Sequence, residues 1–106
     1  MSITNNVDLL NAVVERIKNI PAADIDGEIV MMHIEKGKYY GLDHVGSRIW
    51  ELIEKPNIVN NIINTLMHEY DVDSLTCQGQ VLEFINKLYN EELINVIDRN
   101  EGYKLL

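Results

Sequence analysis

Gly27-Glu28-Ile29-Val30-Met31-Met32-His33-Ile34-Glu35-Lys36-Gly37-Lys38-Tyr39-Tyr40-Gly41-Leu42-Asp43-His44-Val45-Gly46-Ser47-Arg48-Ile49-Trp50-Glu51-Leu52 is the stretch that decides how this chain folds. It begins as a β-rich run, turns at Glu35-Lys36-Gly37, and resumes as a second β-rich run in which Val30, Ile34, Tyr39 and Tyr40 suit a pleated, half-buried surface. Gly37 supplies the positive φ that a short hairpin loop needs. At Asp43 the period becomes helical, and the Asp43 carboxylate is placed to accept free amides of the first turn. The stretch therefore reads as a hairpin joined to a helix with no linker.

Toward the N-terminus, Asp26-Gly27 is a turn signal that ends a short strand over 22–25, and Pro21 blocks any helix running into it. Before that, Val7, Leu10, Val13, Val14 and Ile17 match helical spacing, yet the pair Val13-Val14 equally suits an extended segment; periodicity leaves both open. Toward the C-terminus, a helix over 44–54 places Val45, Ile49, Leu52 and Ile53 on one face with Trp50 at its margin, and Pro56 stops it. Gly46 in its first turn costs helix propensity, which implies a close neighbour. A second helix over 58–70, with Asn57 as cap, is expected to bury Val59, Ile62, Ile63, Leu66 and Tyr70 and to expose Asn60, Asn61 and Asn64. Ser74 is expected to cap a third helix reaching residue 91, residues 93–97 to return as an extended segment, and 98–106 to form a tail. Three strands followed by three helices make an α+β domain, with no repeat or linker to divide residues 1–106.

Composition narrows the function classes. The chain has 106 residues, 46% hydrophobic and 25% charged, which suffices for one core without disulfides. No apolar run approaches the roughly 18 residues of a membrane span, and the N-terminus lacks a basic region followed by an apolar stretch, so the expected location is the cytoplasm and not a membrane. A net charge of −8, with nine scattered Lys and Arg, opposes binding to nucleic acid phosphates.

Chemistry-bearing patterns are sparse. His33, His44 and His68 share no ligand spacing, so no metal is expected. The lone Cys77, at helical spacing before Val81, reads as a small core residue. No nucleophile elbow, phosphate loop or dinucleotide fingerprint occurs, so neither catalytic residues nor cofactors are expected. The third helix is more informative. Cys77, Val81, Phe84 and Leu88 form one stripe, and Gln78, Leu82, Ile85 and Tyr89 form a second beside it. So wide an apolar arc fits a helix buried on two sides, or one whose second stripe walls a groove. Over residues 38–42, Tyr40 and Leu42 face one side while Tyr39 and Gly41 face the other. If that strand lies at a sheet edge, an extended peptide can satisfy its outward amides and carbonyls.

The run Gly37-Lys38-Tyr39-Tyr40-Gly41-Leu42, leading into Val45-Gly46-Ser47-Arg48-Ile49-Trp50-Glu51-Leu52, resembles the signature of the PqqD-like family, named for a pyrroloquinoline quinone synthesis protein. The similarity covers about 25–94. It implies a winged-helix-like fold with an N-terminal three-stranded antiparallel sheet, and an extended arm over 1–20. The function it implies is that of a non-catalytic peptide chaperone, which recognises the leader segment of a ribosomally made precursor and presents it to a modifying enzyme or leader peptidase, as in lasso-peptide and radical-SAM pathways. The leader would lie between the third strand and third helix. The resulting site is Lys38, Tyr39, Tyr40, Gly41 and Leu42 on the strand, with Gln78, Leu82, Ile85 and Tyr89 on the helix. The chain departs from the family at Glu92, where members show a glycine that would cap the helix in left-handed conformation, and at Asp43, where asparagine is common. Two rival readings are a winged-helix DNA-binding regulator, disfavoured by Glu83, Glu91 and Glu92 around the single Lys87, and a dimerisation module using the apolar stripe.

Overall fold

Asp26 (φ 54°) and Gly27 (φ 86°) are both left-handed, as a two-residue type I′ turn requires, and they fold β2 (Ala22–Ile25) back on β3 (Glu28–His33) with Ile25 opposite Glu28. The computed structural model describes residues 8–98. Gly37 (φ 65°) closes the next loop, and β4 (Lys38–Gly41) pairs antiparallel with β3, Met31 opposite Tyr40. The sheet order is β2-β3-β4, so the expected three-stranded antiparallel sheet is present and β4 is one of its edges.

The weld between hairpin and helix is held by two side chains. Asp43 caps α1 (His44–Leu52), its carboxylate accepting the Gly46 amide at 2.7 Å. Ser47, one turn into α1 and buried, accepts the Ile29 amide at 2.8 Å and donates to the Leu42 carbonyl at 3.3 Å. A buried backbone amide of β3 is thereby satisfied from the helix, which fixes α1 against the sheet. Gly46 lies at a close approach: a Cβ there would stand 3.1 Å from the Phe84 ring, tighter than ordinary packing.

Two further helices, α2 (Val59–Glu69) and α3 (Ser74–Asn90), complete the expected three, so the α+β reading holds. The structure adds a second three-stranded sheet, in which β1 (Val13–Arg16) lies between β5 (Asn57–Ile58) and β6 (Ile94–Ile97). The segment left open between helix and extended chain is thus a three-residue 3-10 turn, Leu9–Asn11, followed by a strand central to its sheet. The return of 93–97 to the body is β6. Asp98 is buried, and the rest of the expected tail lies outside the described residues, as do residues 1–7 of the expected arm.

Several local expectations are corrected. Trp50 is not marginal but 2% exposed, because Arg16 from β1 covers its ring at 4.5 Å and donates from Nε to the Trp50 carbonyl at 3.1 Å. Val45 turns outward instead. Tyr70 is exposed, since α2 ends at Glu69. Asn57 does not cap α2: Ile58 holds that position, and Asn57 donates to the Leu52 carbonyl at 3.0 Å, bridging the α1 exit to β5. Ser74 is the first residue of α3, with Asp73 as its N-cap residue. The core runs from Val14 through Ile29, Met31, Ile49, Trp50 and Ile62 to Ile85, and Cys77 sits in it with burial pushing its thiol pKa up.

Candidate functional site

Hydrogen bonding along the β3–β4 ladder settles which backbone groups of β4 are free. The Leu42 amide donates inward to the Ile29 carbonyl at 2.8 Å, with the Ser47 hydroxyl bridging the reciprocal Ile29 amide and Leu42 carbonyl; by the antiparallel alternation Tyr40 and Lys38 also bond inward. The amides and carbonyls of Tyr39 and Gly41 therefore point to the open edge. The opposite side of β3 agrees, because Met32, across from Tyr39, donates away from β4 to the Pro21 carbonyl at 3.0 Å. Side chains divide accordingly. Tyr40 and Leu42 pack against the core, and Tyr39 stands on the outer face at 72% exposure.

Helix α3 runs beside β4 in the opposite direction. Just past its middle Phe84 rests on Gly46, and at its end Glu91 meets the hairpin. Tyr40 donates its hydroxyl to the Glu91 carboxylate at 2.6 Å, Lys38 approaches the same carboxylate at 3.9 Å, and Lys36 donates to the Glu91 carbonyl at 3.0 Å while pairing with Glu92 at 3.3 Å. The Tyr40 phenol is pushed up to about 12 by partial burial and by that hydrogen bond. The Glu91 carboxyl is held below the usual range by the Tyr40 hydroxyl, with Lys38 and Lys36 adding to the effect. Together these residues latch the hairpin to the end of α3.

Beyond the latch a cleft of about 550 Å³ opens between α1 and α3. Val45, Phe84, Tyr70 and Val72 supply apolar surface, and Asp43, Glu83 and Lys87 are among its polar residues. Among the described residues Lys87 has no carboxylate within salt-bridge distance.

Of the residues expected from sequence, Lys38, Tyr39, Tyr40, Gly41 and Leu42 lie on or directly after the edge strand, and Lys38 and Tyr40 are brought together with the end of α3 at Glu91. The expected helix stripe is not. Gln78, Leu82 and Tyr89 lie roughly 120° to 160° around α3 from Phe84, at about 100° per residue. Ile85 is fully buried in the core. Tyr89 lines a separate cleft of about 990 Å³ with Ile17, Ile20, Ile34 and Ile94. The face of α3 that meets β4 and the first cleft is Gln80, Glu83, Phe84, Lys87 and Glu91. Periodicity gives relative angles along a helix and no absolute orientation, so either side of the wide apolar arc could have been chosen. The one signal in the sequence for the side of α3 that meets β4 was Gly46, whose close neighbour is Phe84.

The histidines are dispersed: His33 is buried on β3, His44 lies beside Gly27, and His68 contacts the Asn64 carbonyl at 3.0 Å. No helix among the described residues is long and apolar enough to cross a membrane.

A profile of the family described as Coenzyme PQQ synthesis protein D (PqqD) matches residues 28–94, well over half of the chain. The solved structure of TbiB1 in complex with the TbiA(beta) leader peptide is similar at 37% identity with a TM-score of 0.72, covering 84% of this chain and 96% of that one. A lasso peptide synthetase B1 complexed with the leader peptide shares the fold at 16% identity and a TM-score of 0.69, covering 76% of this chain and 95% of the other. No curated protein gives a significant match.

Proposed function

Because this chain belongs to the PqqD family, we propose that it is a non-catalytic recognition domain that binds the leader segment of a precursor peptide and presents it, in the cytoplasm, to a modifying enzyme or leader peptidase. The observation that carries the reading is the open edge of β4. Tyr39 and Gly41 offer two outward amides and two outward carbonyls, and an extended peptide beside them completes a four-stranded sheet without disturbing the fold. Backbone pairing of this kind supplies affinity with little choice of sequence. Choice comes from the cleft beside it, where inward-facing side chains of the added strand reach Phe84, Val45 and Lys87. The 37% identical TbiB1 holds a leader peptide, which supports the same ligand class here. In this reading the site is the strand residues expected from sequence, joined by Phe84 and Lys87 in place of Gln78, Leu82, Ile85 and Tyr89.

Nothing in this arrangement requires a cofactor or metal from the binding step. The edge and cleft position a peptide, and bond-making belongs to the partner. The acidic residues beside Lys87 disfavour a DNA-reading role for α3. Amide shift mapping with the cognate leader peptide is the test, with a lasso-peptide precursor as the first candidate. Perturbation of Tyr39, Gly41 and the Phe84 face of α3 is expected. Shifts confined to α2, with β4 unmoved, would remove the basis for the reading.

A further inference from the structure

Gly41 has no structural reason to be glycine. Its φ is not left-handed, and a Cβ built there meets nothing within 4 Å, so neither backbone conformation nor packing within the chain demands it. It is interior to paired backbone, because the ladder continues through Leu42 to the Ile29 carbonyl. Glycine is unfavourable in such a position, and where it persists it commonly marks a place that another group approaches closely. What sets Gly41 apart is its backbone, which faces the open edge, and its position on the outer face beside exposed Tyr39 and across from Val30.

We infer that Gly41 is a specificity-determining position: the ligand residue that pairs with it carries a large planar or branched apolar side chain, which lies over the bare backbone against Tyr39 and Val30. This rests on the strand-addition reading above and says which ligand residue that reading selects. In an antiparallel pair, directly opposite residues place their side chains on the same face. A ligand residue bonded to Gly41 therefore projects onto the outer face, into the volume a Gly41 side chain would fill. An aromatic ring across from a strand glycine covers backbone that is otherwise open to water, and such pairs restore the contact that glycine forfeits. The neighbouring ligand residue, two positions away, would pair with Tyr39, whose own ring already occupies that part of the face. The requirement for a large side chain therefore falls on one ligand position and not on its neighbour.

The test uses a random 15-residue peptide library displayed on phage and selected on the intact wild-type protein. Selected peptides are expected to share a Phe, Tyr, Trp or Leu at one position, and amide shifts should place that position against Gly41. A double-mutant cycle then pairs truncation of that ligand residue to Ala with Gly41→Val, a change the open space and strand conformation accommodate. Truncation should weaken binding about tenfold or more against wild type and less than about threefold against Gly41→Val. Gly41→Ala, the smallest addition, serves as the second variant, and thermal melting verifies that both are folded. If selected peptides perturb Tyr39 and Gly41 yet truncation costs the same in all three proteins, this inference is wrong while strand addition stands. If selected peptides leave β4 unperturbed, both are wrong.

Discussion

Glu92 closes α3 in a conformation that suits glycine better: its φ is +63°, the Leu93 amide donates to the Leu88 carbonyl at 2.9 Å, and the Glu92 amide to the Tyr89 carbonyl at 3.0 Å. These are the two bonds of a Schellman cap, so the departure from the family's glycine changes the residue without changing the helix end. The left-handed conformation costs a non-glycine residue about 1–2 kcal/mol, and an exposed ion pair such as Lys36–Glu92 returns about 0.2–1 kcal/mol. Glu92→Gly should therefore raise unfolding stability by about 0.5–1 kcal/mol, read as a shift in the urea midpoint at unchanged slope; a lower midpoint would show that the ion pair outweighs the strain. The adjacent Glu91 leads to a pH prediction. Its carboxyl is depressed first by the Tyr40 hydroxyl, and a group depressed on folding adds stability above its unfolded pKa, which is lost as pH falls through the lower folded value. The latch should accordingly hold near neutrality and weaken in acid, below the ordinary glutamate value of about 4.3. Carbon-detected titration of the Glu91 side chain should give a midpoint under that value, and Tyr40→Phe should move it upward. An unchanged midpoint in Tyr40→Phe would mean that the lysines, not the hydroxyl, set it.

At the scale of the element, α3 decides how the site is built. Its core line is Cys77, Val81, Ile85 and Leu88, and Phe84 sits to one side of that line while Leu82 and Tyr89 sit to the other. Phe84→Ala should weaken leader binding by about tenfold or more, the loss expected when a buried aromatic anchor is removed, while Leu82→Ala and Tyr89→Ala stay within about threefold. Isothermal titration of the three variants separates the faces, and a loss confined to Tyr89→Ala would restore the opposite stripe. The same helix carries Gly79 in its exposed middle, where a Cβ would meet nothing within 4 Å. Gly79→Ala should stabilise the protein by about 0.5–1 kcal/mol in thermal or urea unfolding, and a smaller gain would point to an interaction at that surface. What was legible in the sequence followed locality. The Asp26-Gly27 turn, the loop closed by Gly37 and the Asp43 cap are each decided by neighbouring residues, and each stands in the structure. The side of α3 that meets β4 depends on where a strand some 45 residues earlier is placed, and helical period carries no such information.

The same limit, applied to the whole molecule, explains why the second sheet was not legible and gives the sharpest test of how the fold is held together. β1 pairs with β6 across the length of the chain, Glu15 opposite Asn95, and with a two-residue β5 too short to register as a strand in any pattern. Val13-Val14 signalled extended backbone without a partner. The profile match at 28–94 excludes β1 and most of β6, so it outlines the recognisable family core and not what the core needs in order to fold. Ala12 and Val14 are fully buried, the Val59 amide donates to the Ala12 carbonyl at 3.0 Å, the Ile17 amide to the Leu93 carbonyl at 3.0 Å, and Arg16 covers Trp50. Burying one valine side chain contributes about 1.5–3 kcal/mol, and each buried backbone group stripped of its partner costs about 1–3 kcal/mol. Removing a central strand combines several such losses in a domain whose total stability is about 5–15 kcal/mol. A chain trimmed to residues 21–98 keeps β2, β3, β4 and all three helices, and with them every residue placed at the binding edge. It should nevertheless lose its cooperative melt, because β5 and β6 are left without the strand that joins them and Trp50 without its cover. Circular dichroism melting of the trimmed and full chains, with proton–nitrogen spectra of each, makes the comparison. A cooperative transition near the full-length midpoint would mean that the hairpin, α1 and α3 stand without the second sheet.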